Sequence, residues 1–345
     1  MTSITRYKLR KLLKYALVSL GVVWVLHLFS GQAVPDHLGA WFLLGLWTGV
    51  MEEFLFGHRF RSLAVPLQFL GKVLAVNLLT IGLLALGWAF DRQADLPGGN
   101  AEMGHMGQLL WTNDFLRLVV QVVVVTSLAI LVVQIEELMG RRMFLGFLLG
   151  RYERPEAEER IMLSIDLAGS TALAEKLGDL KYFRLLNRTY ALMTDAVLRN
   201  EAEIHKYVGD EVIFTWPMRD GQRDLNCLDL YFDIEERIRT HAGELEAEFG
   251  VVPHYRAAVH GGRVISAQIG HIKRAIEFSG DVMNAVSRML GLCKELNAGL
   301  LVSTELLNRL KGVEERFAVG PLQVVPVRGR RRQVNVHAVT RTHKA

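Results

Sequence analysis

Four long apolar segments lie within the first 138 residues, and no other feature restricts the possible folds of this chain as strongly. These segments occupy residues 12–30, 40–56, 67–90 and 115–138. Each is close to the roughly 20 residues that a helix needs to cross a lipid bilayer. The rest of the 345-residue chain has ordinary globular composition. The sequence therefore predicts an α-helical membrane domain of four transmembrane helices in residues 1–138.

The first apolar segment follows a basic N-terminus, which would also suit a cleaved signal peptide. The basic residues, with no acidic residue among them, are Arg6, Lys8, Arg10, Lys11 and Lys14. No small-residue cleavage site follows cleanly and three more apolar segments come later, so we interpret it as a first span. The loop at residues 57–62 is basic, and the loop at 91–114 is acidic and glycine-rich. The positive-inside rule then predicts a multi-pass protein of the inner (cytoplasmic) membrane with its C-terminal half in the cytoplasm.

Few polar residues interrupt the apolar segments, chiefly His27, Lys72, Asn77 and Gln121. A charge at the centre of a bilayer costs about 2.5–3.5 kcal/mol, so we expect Lys72 to reach the interface or to pair with Glu52 or Glu53. His27 could bind haem or a metal, but no other span supplies the second histidine that a haem within a bundle needs. We therefore interpret His27 as structural. The spans also lack the charged or broken helices of a transporter.

The second and fourth apolar segments end alike, in MEEFLFGHRFR at residues 51–61 and in IEELMGRRMF at residues 135–144. Each end carries two glutamates, at residues 52–53 and 136–137, followed by basic residues. Two interpretations stay open. Either these are related hairpins whose inner ends contact the C-terminal domain, or acidic and then basic residues are simply common flanks of membrane spans.

The net charge of +4 does not indicate a nucleic-acid partner, because the basic residues cluster beside the apolar segments. The two cysteines, Cys227 and Cys293, exclude a disulfide framework and a cysteine-based zinc site. Residues 139–159 read as a connector whose basic and apolar first part suits contact with membrane lipid, and Pro155 ends any helix there. The expected domains are therefore 1–138, 139–159 and 160–345.

The C-terminal half begins with a strand pattern that ends in an acidic residue. Residues 161–167 form a nearly continuous apolar run, which predicts a buried strand with Asp166 at its end. Gly169, Ser170 and Thr171 follow and lead into a helical pattern. Such a turn exposes backbone N–H groups and suits a phosphate, although a capped helix after a strand is common without any ligand.

Residues 204–216 alternate in polarity about Gly209 and Asp210, which predicts a β-hairpin with Asp210 at its tip. If this hairpin lies beside the strand at 161–167, Asp166 and Asp210 come together. Two carboxylates at one place repel each other unless a cation bridges them. Carboxylates with few other protein ligands suit Mg²⁺ or Mn²⁺, with phosphate oxygens completing the coordination.

Two more hairpins and one helix are predicted downstream. Residues 255–260 and 263–269 suggest a hairpin about the Gly261–Gly262 pair. Residues 324–327 and 333–339 flank the sequence RGRRR, a basic tip that would suit a solvated turn or a membrane-facing patch.

The helix is predicted over residues 281–297, with Asn284 and Arg288 four residues apart on one face. Val282, Ala285, Met289 and Leu292 are expected to pack inward. Taken alone, the Asn284–Arg288 pair is typical of a solvated helix face.

Three separated motifs together point to one known family. They are DLAGST at residues 166–171, KYVGDE at 206–211 and GDVMNAVSRM at 280–289. In this order and spacing they resemble the class III nucleotidyl cyclase catalytic domain, over about residues 160–339. The resemblance implies a ferredoxin-like α/β fold and a head-to-tail homodimer with active sites at its interface. The N-terminal part is loosely similar to the multi-span anchors of some bacterial members.

The resemblance also implies roles for the residues at matching positions. Asp166 and Asp210 match the two metal-binding aspartates, with the backbone of Leu167 as a further ligand. Two Mg²⁺ or Mn²⁺ ions per site are therefore expected. Asn284 and Arg288 match the pair that the partner chain contributes to the transition state.

The remaining matching positions would recognise the substrate. Lys206 matches the lysine that reads adenine, a position that is usually Glu in guanylate cyclases. Glu277 departs from the family pattern, because the second purine-reading residue is usually Asp or Thr, and this makes adenine selectivity less secure than the metal site. The residues expected at the substrate phosphates are Gly169, Ser170, Thr171, Arg328 and Arg330.

The sequence thus predicts a membrane-anchored adenylate cyclase that converts ATP to 3′,5′-cyclic AMP and pyrophosphate by positioning and electrostatics. The expected partners are ATP, a second copy of the chain and membrane lipid, without nucleic acid. A guanylate or mixed-purine cyclase is the nearest alternative. A catalytically silent receptor with a cyclase fold is a second one, which the presence of both aspartates and of the Asn284–Arg288 pair disfavours.

Overall fold

The computed structural model describes residues 3–30, 38–56, 64–93, 113–272, 274–325 and 334–342. The chain divides into two compact units, Met1–Phe144 and Leu145–Ala345. The described helices of the N-terminal unit are α1 (Ser3–Ser30), α2 (Leu38–Met51), α3 (Val65–Gln93) and α4 (Asn113–Met139). One π-helical segment, Glu52–Phe56, extends α2, and the short helix α5 (Arg141–Leu148) crosses from one unit into the next.

All four predicted apolar segments fall in helices. Within the described ranges, two helical stretches are long and apolar enough to cross a membrane, Ile4–Phe29 and Arg117–Met139. A shorter apolar stretch, Pro66–Gly82, lies in α3, and α2 has 14 residues before its π-helical extension. The number of four membrane spans therefore stays a prediction.

The predicted pairing of Lys72 is confirmed. Its Nζ donates to Oε1 of Glu52 at 2.6 Å, and both side chains are buried. The other glutamates of the two similar segment ends pair with lysines of α1. Their ion pairs are Lys8–Glu53, Lys11–Glu53, Lys11–Glu137 and Lys14–Glu136. Both ends thus bind the same basic helix, an arrangement that the similarity of the two segments did not predict.

The other polar residues of the helices make ordinary local contacts. Nδ1 of His27 lies 2.9 Å from the carbonyl oxygen of Val23, one turn earlier in α1. Asn77 donates to the Val73 carbonyl at 2.7 Å and to Oγ1 of Thr126 at 3.1 Å, which joins α3 to α4. Hydrogen bonds of this kind satisfy polar groups in an apolar helix bundle.

Small residues bring α1 and α2 close together. Gly45 and Gly49 are four residues apart on α2, and a Cβ atom at Gly45 would lie 2.6 Å from the Cα of Ala16 and 2.8 Å from Oγ of Ser19. A larger residue at Gly45 would therefore push the two helix backbones apart. This is the close packing that glycines at four-residue spacing permit between apolar helices.

The C-terminal unit is built on one mixed sheet. Its described strands are β1 (Glu156–Leu167), β2 (Glu203–Val208), β3 (Glu211–Pro217), β4 (Tyr255–Ile269), β5 (Ala275–Ser279), β6 (Leu300–Ser303), β7 (Phe317–Val325) and β8 (Val334–Arg341). The order is β2-β3-β1-β4-β6-β8-β7, with β5 paired to β4. Strand β1 is antiparallel to both β3 and β4, whereas β4 and β6 are parallel. This mixed sheet agrees with the α/β class that the sequence predicts.

Helices cover both faces of the sheet. They are α6 (Ser170–Leu177), α7 (Asp179–Arg199), α8 (Met218–Gln222), α9 (Asn226–Thr240), α10 (Ala242–Phe249), α11 (Asp281–Leu292) and α12 (Thr304–Leu307). Alternate residues of β1, such as Ile161 and Leu163, share one buried core with Leu185 of α7 and Leu228 of α9. Trp216 is fully buried in this core, and its Nε1 donates to the Asn200 carbonyl at 2.8 Å.

The predicted hairpin about Gly261 and Gly262 is wrong, because β4 runs through both glycines without a turn. They pair with Ile161 and Arg160 of β1 in an uninterrupted antiparallel register. A Cβ atom at Gly261 would lie 3.0 Å from the Leu306 side chain, and one at Gly262 would lie 3.1 Å from a methyl group of Val282. The two glycines therefore make room for neighbours on opposite faces of the sheet.

Other predicted boundaries also shift. Strand β1 begins at Glu156 rather than at residue 161, since its acidic first residues pair with residues 263–266 of β4. Helix α11 ends at Leu292 rather than at residue 297, and turns follow it. The predicted hairpin of β2 and β3 is confirmed, as is the antiparallel pairing of β7 with β8.

Candidate active site

The two predicted metal-binding aspartates lie together at one end of the sheet. Asp166 stands near the end of β1, and β1 pairs with β3 up to Ile165 opposite Val212. Asp210 lies in the tight turn between β2 and β3, where Gly209 adopts a φ of 66°. Oη of Tyr190 donates to the Gly209 carbonyl at 3.1 Å, which fixes this turn to α7. The pairing of β1 with β3 and the effect of Asp210 on the pKa of Asp166 put the two carboxyl groups close together, as predicted.

The electrostatics of this pair suit a bound cation. Burial, together with the proximity and negative charge of Asp210, raises the pKa of Asp166 to about 7. Oδ2 of Asp210 is buried and has no hydrogen-bond partner among the described residues. A divalent cation would neutralise the repulsion and use the unpartnered oxygen.

Hard cations such as Mg²⁺ and Mn²⁺ prefer carboxylate, carbonyl and phosphate oxygens, so the donor set fits them. Within the described ranges, no group of three or more His, Cys, Asp or Glu side chains could hold a metal ion by itself. A cation at Asp166 and Asp210 would therefore need main-chain oxygens, such as that of Leu167, and oxygens from a ligand.

The predicted phosphate-binding turn borders the same place. A cavity of about 270 Å³ is lined by Asp166, residues 167–171, Arg256, Leu290, Gly291 and Lys294. Gly169 adopts a φ of 73° just before α6, a left-handed conformation that costs glycine little. Gly169, Ser170 and Thr171 therefore lie beside the aspartates, in a cavity with two basic side chains.

Those two basic residues, Arg256 and Lys294, were not predicted from the sequence. Arg256 lies directly opposite Asp166 in the pairing of β4 with β1. The signal for it was a single charged residue in the otherwise apolar run 255–259. Lys294 follows α11 in a turn, where no motif marks it.

The two predicted purine-reading residues contact each other. Nζ of Lys206 on β2 donates to Oε2 of Glu277 on β5 at 2.6 Å. Burial by itself raises the pKa of Glu277, but the hydrogen bond and charge of Lys206 outweigh it, and the pKa is lowered overall. The carboxylate of Glu277 is therefore ionised at neutral pH.

Asn284 and Arg288 lie on the exposed face of α11, opposite its buried residues Val282, Ala285, Val286 and Met289. Neither side chain has a hydrogen-bond or ion-pair partner in the part of the chain that the structure describes. The cavity beside Asp166 is lined by the far end of this helix and by Lys294, but by neither Asn284 nor Arg288. Arg328 and Arg330 lie outside the described residues.

The raised pKa of Asp166 predicts a pH dependence of stability in the absence of divalent cations. The folded chain holds the Asp166 proton more tightly than the unfolded chain, whose pKa is near 3.8. The free energy of unfolding should therefore fall as the pH rises from about 4 to about 7, by about 1 kcal/mol for this half-exposed group. Urea denaturation in EDTA across this pH range would measure it.

The Asp166→Asn variant serves as the comparison, because it cannot ionise at this position. Its stability should be less dependent on pH over the same range, and addition of Mg²⁺ should stabilise the unchanged protein most at the upper end. An identical pH dependence in the two proteins would contradict the assignment.

The C-terminal unit is similar to known proteins. The family model described as "Adenylate and Guanylate cyclase catalytic domain" matches residues 153–341. "Adenylate cyclase 2" of Rhizobium meliloti (strain 1021) is 45% identical over 182 residues, which cover 53% of this chain and 50% of that protein. The matched stretch thus spans half the length of this curated relative.

Two solved structures superimpose on part of this chain. The structure of a bacterial light-regulated adenylyl cyclase superimposes with a TM-score of 0.51 and 18% identity, and covers 70% of this chain and 66% of its own. The adenylyl cyclase CyaB from P. aeruginosa gives a TM-score of 0.48 and 19% identity over 55% of this chain and 98% of its own. The first of these likenesses supports the fold and nothing finer.

Proposed function

The chain belongs to the adenylate and guanylate cyclase catalytic domain family over residues 153–341, and from this premise we propose that it converts ATP to 3′,5′-cyclic AMP and pyrophosphate. The observation that carries the proposal is the pair Asp166 and Asp210, with an unpartnered buried oxygen beside a cavity that contains a phosphate-type turn. The 45% identical relative named as an adenylate cyclase supports ATP rather than GTP.

In this proposal Asp166, Asp210 and the backbone of Leu167 hold two Mg²⁺ or Mn²⁺ ions per site. When bound, such ions make the ribose 3′-hydroxyl a better nucleophile and neutralise the leaving pyrophosphate. The turn at residues 169–171 binds phosphate oxygens through its backbone N–H groups. Arg256 and Lys294 line the same cavity and add positive charge for the polyphosphate.

Two chains would form each site. Asn284 and Arg288 are exposed, unpartnered among the described residues, and absent from the cavity of their own chain. Supplied to the aspartates of a second copy, Arg288 would stabilise negative charge that develops on the phosphorus oxygens, and Asn284 would position the ribose. A head-to-tail homodimer then carries two complete sites. Arg328 and Arg330 would meet the terminal phosphates.

The base would be read by Lys206 and Glu277. Lys206 can donate to a ring nitrogen of the purine, whereas the ionised Glu277 can accept from the exocyclic amino group of adenine. Guanine presents a carbonyl oxygen at that position, which a carboxylate repels. A guanylate or mixed-purine cyclase remains the alternative function, because Glu277 is longer by one methylene than the aspartate usual in the family.

The proposed organisation is a membrane domain in residues 1–138, a connector in 139–159 and the catalytic domain in 160–345. Two helices with membrane-spanning length and hydropathy, together with the basic N-terminus, support anchoring in the inner membrane with the catalytic domain in the cytoplasm. In the connector, Tyr152 is buried and its carbonyl accepts from the N–H of Gln268 in β4 at 2.9 Å. Movement of the connector would therefore act on β4, which pairs with the strand that carries Glu277.

The test is turnover of ATP and GTP by the full-length protein in membranes and after purification, with Mg²⁺ and with Mn²⁺. We expect cyclic AMP to form, with kcat/KM at least about tenfold higher for ATP than for GTP, and the activity to sediment with membranes and resist carbonate extraction. Equal use of both purines would favour the mixed-purine alternative. No cyclic nucleotide with either metal would favour the silent receptor.

A further inference from the structure

Strand β2 is irregular at His205, one residue before the proposed purine-reading lysine. Ile204 pairs with Phe214 and Lys206 pairs with Ile213, so two steps along β2 correspond to one step along β3. His205 is the extra residue of this β-bulge and takes no place in the register. In a regular strand His205 and Lys206 would point to opposite faces, and a bulge can turn both toward one side.

Both side chains do converge on Glu277. Nε2 of His205 lies 3.4 Å from Oε2 of Glu277, the same oxygen that accepts from Lys206 at 2.6 Å. The His205 ring also packs against the Phe278 ring, with centroids 4.9 Å apart. In addition, the guanidinium of Arg160 lies 4.5 Å from the Phe278 centroid. The His205 side chain thus extends from β2 to Glu277 and Phe278 of β5, beside the proposed base-reading pair.

His205 is buried without a well-aligned hydrogen-bond partner among the described residues. Its side chain is 2% exposed, and neither ring nitrogen has a well-aligned hydrogen bond among the described residues. Leaving buried polar atoms unpaired is costly, so such a residue needs a reason to be there. Burial and the charge of Lys206 lower the pKa of His205, so its ring is neutral at pH 7 and carries a single N–H.

We propose that His205 is a positioning residue for base recognition: through Nε2–H it holds Oε2 of Glu277, together with Lys206, and leaves Oε1 to accept the exocyclic amino group of adenine. The proposal rests on the adenylate cyclase function proposed above. It also accounts for glutamate at position 277. The extra methylene of glutamate adds a rotatable bond to the side chain, and the donors Lys206 and His205, both bound to Oε2, would hold that side chain in one conformation. The geometry is expected to tighten into a full hydrogen bond when the base is bound.

The first test compares His205→Leu with His205→Gln in the full-length protein. Leucine fills the space without a donor, whereas glutamine keeps an N–H near the position of Nε2. For His205→Leu we expect KM for ATP to rise about tenfold, with kcat changed less than about threefold and KM for GTP nearly unchanged. His205→Gln should keep the ATP preference within about threefold. His241→Leu, at a partly buried histidine that directly follows α9, is the matched control and should change neither the KM for ATP nor the preference for ATP over GTP.

The second test is a double-mutant cycle with Glu277→Asp. Aspartate is too short to reach the His205 ring, so His205→Leu should have almost no further effect on purine preference in the Glu277→Asp background. Full additivity of the two changes would overturn the proposal. So would an equal loss of kcat for ATP and GTP in His205→Leu, since that is the mark of a structural role.

Binding measurements keep the proposal separate from the cyclase activity. Titration calorimetry with 3′-deoxy-ATP and 3′-deoxy-GTP, which lack the attacking hydroxyl, reports base preference without any reaction. A preference for 3′-deoxy-ATP that His205→Leu lowers about tenfold would support the inference even if ATP were not cyclised. An unchanged preference, or the absence of any preference in the unchanged protein, would overturn it whether or not cyclic AMP forms.

Discussion

Replacing Asp210 with asparagine should lower cyclic AMP formation by a factor of about 10³ or more. Asparagine keeps the size of the side chain and one carbonyl oxygen but removes the negative charge that would bind the metal ions. Without those ions the charge of the leaving pyrophosphate would be uncompensated, and pre-organised stabilisation of such charge is commonly a large part of catalysis. The measurement is kcat of the full-length protein with saturating Mg²⁺ and with saturating Mn²⁺.

Stability in EDTA separates a lost metal site from a damaged fold. In the unchanged protein burial and the nearby negative charge of Asp210 raise the pKa of Asp166, and the two carboxylates repel each other when both are ionised. The Asp210→Asn variant should therefore be at least as stable as the unchanged protein without metal at pH 7, while Mg²⁺ should stabilise it less. A variant that loses activity together with stability would contradict the metal role. Glu248→Gln, at an exposed carboxylate of α10, is the control and should keep full activity.

The aspartate pair could be predicted because its determinants are local. A strand that ends in Asp166 and a tight turn with Gly209 before Asp210 are both visible in the sequence. The sequence left open whether the β2–β3 hairpin lies beside β1, and the structure shows that β3 pairs with β1 in antiparallel orientation. Lys206 and Glu277 are far apart in sequence, and only the family resemblance joined them. Their hydrogen bond depends on β5 folding back along β4.

The features that the sequence predicted wrongly or did not predict depend on contacts with residues remote in the chain. Gly261 and Gly262 look like a turn, but they are glycines because Leu306 and Val282 approach the two faces of β4. The β-bulge at His205 could not be predicted from the sequence, because it adds one residue to one strand of an otherwise regular hairpin.

The place of a residue in the sequence also does not show which residues it contacts in the fold. Arg256 is an ordinary strand residue until its pairing with β1 puts it opposite Asp166. Likewise, the glutamates at residues 52–53 and 136–137 resemble each other in sequence, and the structure shows that both pairs bind lysines of α1, with Lys11 between Glu53 and Glu137, while Glu52 binds Lys72 of α3. A single sequence shows which residues could take part in such networks, but it does not show which of them the fold brings into contact.

Two inactive variants should restore activity to each other when they share a dimer. In a head-to-tail arrangement each site takes Asp166 and Asp210 from one chain and Asn284 and Arg288 from the other. A mixed dimer of Asp210→Asn with Arg288→Ala then has one site in which both changes fall and one site with neither. Random pairing makes half of the dimers mixed, so co-expression should restore about a quarter of the unchanged activity. Arg288→Ala alone should lose about 10²- to 10³-fold in kcat, as for other residues that stabilise charge in the transition state.

The matched control is co-expression of Asp166→Asn with Asp210→Asn. Both changes lie on the same side of the proposed interface, so every site of their mixed dimer contains one altered aspartate and no activity should return. Two different affinity tags, used in sequence, would isolate the mixed dimers before kcat is measured. Restoration by the first pair and not by the second would show that each site is shared between two chains. This is the expected result, because Asn284 and Arg288 lie outside the cavity that Asp166 lines in their own chain. If neither pair restores activity, although the mixed dimers are recovered, each chain must complete its site alone and the exposed face of α11 must have another role.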